Sequence, residues 1–111
     1  MNPENSETEF RLLNEQQLLT PSADAEIVAR SSVLDCECPK HLSGILAKVR
    51  EFQLYEQDCI FRSEKDRATH EWLYESAINL DRMISATIVQ LARMEEMIDG
   101  NNQILNHPNA K

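Results

Sequence analysis

Glycine occurs only 2 times in this chain, and aromatic side chains make up just 5% of it. So few glycines cannot serve the many tight turns of a β-sandwich or barrel, and 4 prolines leave room for long unbroken helices. Positive charge is scarce as well: 11 Lys and Arg stand against 19 Asp and Glu, for a formal charge of −8. A surface of that sign repels phosphate, so neither direct nucleic-acid binding nor attraction to anionic membranes is expected. No apolar run approaches the ~20 residues that cross a bilayer. The opening MNPENSETEF is acidic and polar, unlike the basic and apolar parts of a secretory leader. Three cysteines, an odd number, fit reduced or metal-binding thiols in a cytoplasmic protein better than a disulfide framework.

What is present points to one all-α domain. The length of 111 residues suits a single domain. Residues 1–8 read as a disordered tail, 9–99 as one helical domain and 100–111 as a flexible tail. EFRLLNEQQLL (9–19) has the composition of a short helix, with Phe10, Leu12, Leu13 and Leu19 as its apolar positions. A second short helix starts in TPSADAEIVARSS (20–32), where Thr20 is the cap and Pro21 the first helical residue.

The strongest pattern lies between 38 and 98. Cys38, Leu42, Ile45, Val49, Phe52, Glu56 and Cys59 follow one another in alternating steps of four and three, the spacing of a heptad seam. A break at FRSEKD follows, where Ser63 and Asp66 resemble a capping box with a shortened acid. The same alternation resumes through Asp66, His70, Leu73, Ala77, Leu80, Ile84, Thr87, Leu91, Met94 and Ile98, and Gly100 supplies a stop. Folding the chain back near Arg62 pairs every layer at once: Cys59 with Asp66, Glu56 with His70, Phe52 with Leu73, and so on to Cys38 with Thr87. The expected architecture is therefore a long antiparallel helical hairpin, about 39–61 and 64–98, with one or two short N-terminal helices. A hairpin leaves one flank of each stripe open, here Leu46, Ile60 and Ile88, so dimerisation into a four-helix bundle is expected.

The ends of the seam are chemically unusual. Glu56, Cys59, Asp66 and His70 occupy successive seam positions at the turn, and Cys36, Cys38 and His41 cluster at the other end. A buried carboxylate costs several kcal/mol unless it is paired or bound to a cation. Carboxylate, thiol and imidazole together are the donors of zinc or iron sites. Cys36, Cys38, His41, Cys59, His70 and Glu56 are thus candidate ligands for a metal ion or metallocofactor, with Tyr55 and Asp66 as supporting neighbours. The plainer reading is structural: Glu56 and His70 as a pair fixing register, Cys59 as a small hydrophobe, Asp66 facing a helix dipole, and two thiols that happen to precede a helix. A labile disulfide between Cys36 and Cys38 is a third option. Glu-x-x-His pairs, phosphate loops and a Ser/His/Asp constellation are all lacking, so an enzyme is the weaker expectation.

CECPKHL (36–42), FQLYEQDC (52–59) and DRATH (66–70) resemble the helical region that follows the DNA reader in certain MerR-family transcription regulators. The shared pattern is C-x-C-P-x-H-L, then F-x-x-Y-x-x-x-C, then D-x-A-x-H, over about 36–75. The resemblance falls on Cys36, Cys38, Pro39, His41, Phe52, Tyr55, Cys59, Asp66 and His70. It implies an effector-sensing or dimerisation module. No basic helix-turn-helix accompanies the pattern here, so a sensor or adaptor without its own DNA reader is expected. Three functions follow in order: a cytoplasmic regulatory module that binds a metal through Cys and His; a helical dimerisation or protein-interaction module without a cofactor; and a thiol redox protein using the C-x-C pair.

Overall fold

The computed structural model describes residues 11–31, 37–62, 64–100 and 103. Cys36, Ser63, the tail at 1–8 and most of the tail after Gly100 lie outside these residues. The described part is all-helical: α1 spans Pro21–Arg30, α2 Cys38–Arg62 and α3 Arg67–Met94. No helix among them is long and apolar enough to cross a membrane.

The segment 11–19 is not the helix its composition suggests. Asn14 captures the chain instead, its carboxamide oxygen accepting from the Gln16 and Leu18 amides at 2.8 and 3.1 Å. The Asn14 amide donates to the Leu18 carbonyl at 2.8 Å, and Leu13 bridges Leu19. A short side chain that bonds its own backbone competes directly with the helical ladder. The resulting loop buries Leu12, Leu18 and Leu19. α1 begins as expected, with Thr20 Oγ1 accepting from the Ala23 amide and Pro21 in the first turn.

α2 and α3 form the antiparallel hairpin, and the expected axial pairing holds at the turn: Glu56 meets His70. α3 starts at Arg67, three residues later than expected, with Asp66 as a cap that makes no side-chain capping bond. It also stops four residues before Ile98 and well short of Gly100. Glu96 turns left-handed at φ 62°, its amide reaching the Arg93 carbonyl and that of Met97 reaching Ala92. These two bonds are those of a Schellman ending, and burial of Ala92 and Met97 supplies its hydrophobic contact.

The inward faces are rotated by about one residue from the expected seam. Ile45, Phe52 and Leu80 are 52, 39 and 49% exposed, whereas the supposedly open Leu46 and Ile88 are each 1% exposed. The N-terminal segment is the reason. Leu12, Leu19, Ala23 and Ile27 pack with Leu46, Ile88, Val89, Ala92, Met97 and Ile98 in one core. That core covers the flank left open by the hairpin and leaves part of the heptad seam, Ile45, Phe52 and Leu80, on the outside, while Glu56 and Ala77 stay buried.

A polar knot makes this arrangement possible. Asp81 is fully buried. It accepts from Arg50 Nε at 2.8 Å, Arg50 Nη2 at 3.1 Å, Gln53 Nε2 at 2.9 Å and Ser85 Oγ at 2.9 Å. Arg50 Nη2 also donates to the Leu19 carbonyl at 2.7 Å, and Ser85 Oγ accepts from the Leu19 amide at 2.8 Å. Both backbone groups of Leu19 are thus satisfied by the hairpin, as burial requires.

Burial alone pushes the Asp81 carboxyl up, but the hydrogen bonds from Arg50, Gln53 and Ser85, with the guanidinium charge, outweigh it and hold the group below its ordinary value. Stability from this knot is fully present above the usual carboxylate pKa of ~3.9 and is lost as pH falls through the lower native value. Acid unfolding followed by circular dichroism should therefore steepen below about pH 4, and Asp81→Asn should flatten that limb. Arg50→Ala strands a buried carboxylate and should cost about 3–5 kcal/mol in urea unfolding. Gln17 sits at φ 69° in an exposed turn. Gln17→Gly should raise stability by about 0.5–1 kcal/mol in the same assay.

Candidate metal centre

Glu56 and Cys59 are three residues apart in α2, hence on one face of its last turns. His70 lies in the first turn of α3, where its amide reaches the Asp66 carbonyl at 3.0 Å. The antiparallel turn between the helices brings the three together. One donor atom from each of Glu56, Cys59 and His70 lies within 4.8 Å of the others. Among the described residues, this is the group of three or more His, Cys, Asp or Glu with such spacing.

Glu56 is only 3% exposed, and its Oε1 stands 2.6 Å from His70 Nδ1. Cys59 is half-buried beside them. A tetrahedral zinc with ligands at ~2.0–2.3 Å holds its donors roughly 3.3–3.7 Å apart. The triad is within about an ångström of that spacing, so it is a group that could hold an ion. An ion would replace the proton that links carboxylate and imidazole, and the thiol would lose its proton as it binds. The donor set of one oxygen, one sulfur and one nitrogen suits zinc or another borderline divalent metal.

The remaining expected ligands stand elsewhere. Cys38 and His41 are exposed at the first turn of α2, at the opposite end of the hairpin from the triad. Asp66 is exposed at the start of α3. Tyr55, expected as a supporting neighbour of the ligands, is 64% exposed. Cys38 lies instead at one edge of an apolar groove of about 610 Å³ between α2 and α3, with Leu42, Met83, Thr87, Leu91 and Met94. Sequence periodicity marks most of these as seam residues, but a hydropathy pattern does not say that their face is uncovered.

Comparison with protein-family models, with curated proteins and with solved structures yields no match.

Their different settings separate the two thiols. Exposed Cys38 should react with a bulky maleimide at least severalfold faster than half-buried Cys59, as read by mass spectrometry of the labelled peptides.

Proposed function

We propose that this chain is a small regulatory module that binds a transition metal, zinc or iron, at the turn of its helical hairpin. Glu56, Cys59 and His70 are the ligands on each chain. The observation that carries this reading is their convergence around a carboxylate only 3% exposed, at a position where an apolar side chain would pack without penalty. The ligands come from both helices, so an ion there ties the end of α2 to the start of α3. Occupancy would then stiffen the turn and set the angle at which the hairpin presents its outer face. This is the logic of a sensor: a local charge event biases a larger surface. The likeness of residues 36–75 to the region behind the DNA reader in MerR-family regulators supports a regulatory role. Reduced thiols as ligands fit a cytoplasmic setting.

A second reading has its own observation. The exposed heptad face, with Ile45, Phe52 and Leu80, suits a helical dimerisation module that needs no cofactor.

Titration of the untagged protein with Zn²⁺ separates the two. At a free metal concentration 100 times Kd, the wild type gains about 2.7 kcal/mol of stability. Cys59→Ser and His70→Ala should each weaken binding at least tenfold, about 1.4 kcal/mol. An anaerobic titration with Fe²⁺ covers the iron alternative. No binding of either metal, or binding unchanged in both variants, would leave the interaction module as the better account.

A further inference from the structure

Three protein donors leave a zinc ion one short of the four that close a structural site. Cys38 and His41 have suitable chemistry, but Cys38 is about 30 Å from Cys59 along α2 at ~1.5 Å per residue. Within one chain they cannot meet.

The exposed face of α2 offers another route. Cys38, Ile45, Phe52 and Cys59 recur at intervals of seven, so they form one stripe. From either end that stripe runs thiol, large apolar, large apolar, thiol. Ile45 and Phe52 are 52 and 39% exposed, and the adjoining α3 leaves Leu80, Met83 and Met94 at 49, 67 and 69%. These five side chains alone present on the order of 500 Å² per copy, much of the ~800 Å² that each partner buries in a standard interface. Met83 and Met94 also line the groove beside Cys38. A stripe that reads alike in both directions is self-complementary about a two-fold axis. With the axis between residues 48 and 49 of α2, Ile45 faces Phe52 of the second copy. Cys38 then comes level with Cys59 and His41 with Glu56, while Tyr55 of the second copy arrives at Leu42, in the groove.

We infer that a second copy of this chain occupies the apolar face, and that each metal centre is shared: Glu56, Cys59 and His70 come from one copy, and Cys38 of the other is the fourth ligand, with His41 level with Glu56 beside it. The inference rests on the metal-binding reading above and names the partner of that site. Each chain carries a formal charge of −8. Two divalent ions at the ends of the interface offset part of the repulsion between copies, so metal and dimer should promote each other.

A mixing experiment tests this on the full untagged chain, using the thiolate-to-metal absorption of bound Co²⁺. The Cys38→Ser/His41→Gln double variant spoils one half of every shared centre, and Cys59→Ser spoils the other. Each variant alone should lose the tight sites. Mixed in equal amounts and allowed to exchange, they should form heterodimers in which one centre is whole, restoring about a quarter of the wild-type tight sites. A mixture that binds no better than its components overturns the shared centre. If the double variant then binds as the wild type does, the site is confined to one chain and the metal-binding reading survives. A wild type without the thiolate absorption overturns both. Should Cys59→Ser fail to fold, sedimentation velocity of the wild type and Ile45→Glu keeps the test open. Zn²⁺ should favour a wild-type dimer that Ile45→Glu abolishes, and a wild type monomeric at all concentrations with Zn²⁺ overturns the inference.

Discussion

The ion pair between Arg50 and the fully buried Asp81 is the constraint on which the rest of the fold depends. A carboxylate at that depth is tolerable only when each of its oxygens is bonded and a counter-charge is near. Arg50 satisfies it from α2, Gln53 and Ser85 complete the shell, and Arg50 and Ser85 also capture the carbonyl and amide of Leu19. One knot thereby fixes the rotation of α2 against α3 and docks the N-terminal segment over one flank. The hydrocarbon core of Leu46, Ile88 and Ala92 against Leu12, Leu19 and Ile27 follows from that choice. The outward position of Ile45, Phe52 and Leu80 follows from it too.

Axial register was legible in the sequence and rotation was not. Alternating steps of four and three place Glu56 opposite His70, and the 2.6 Å contact between them shows the pairing directly. Periodicity resolves a helical face only to about one residue, or 100°. The residues that decided the rotation here, Gln53, Asp81 and Ser85, are polar and count against burial on any hydropathy pattern. The N-terminal segment differs from its composition for a similar reason. EFRLLNEQQLL is rich in helix formers, yet a single Asn14 side chain supplies local bonds that beat the ladder.

The candidate site divides along the same line. Glu56, Cys59 and His70 could be picked out because polar groups on a core seam demand compensation, and the turn brings them together. Cys38 and His41 stand out by residue type and local spacing, which carry no information about what stands opposite an exposed helix end. Cys36 lies outside the described residues. What links the two ends is the exposed stripe between them. It carries the exposed Ile45 and Phe52 with a thiol beyond each, the pattern on which the proposed second copy rests.

The account turns on sulfur and nitrogen binding one ion at the hairpin turn. X-ray absorption at the zinc edge, on protein loaded with one equivalent of Zn²⁺ per chain, reads that environment most directly. The account predicts a mixed shell, with sulfur at about 2.3 Å and nitrogen or oxygen at about 2.0–2.1 Å. A shell of nitrogen and oxygen only, with no sulfur scatterer, would contradict it.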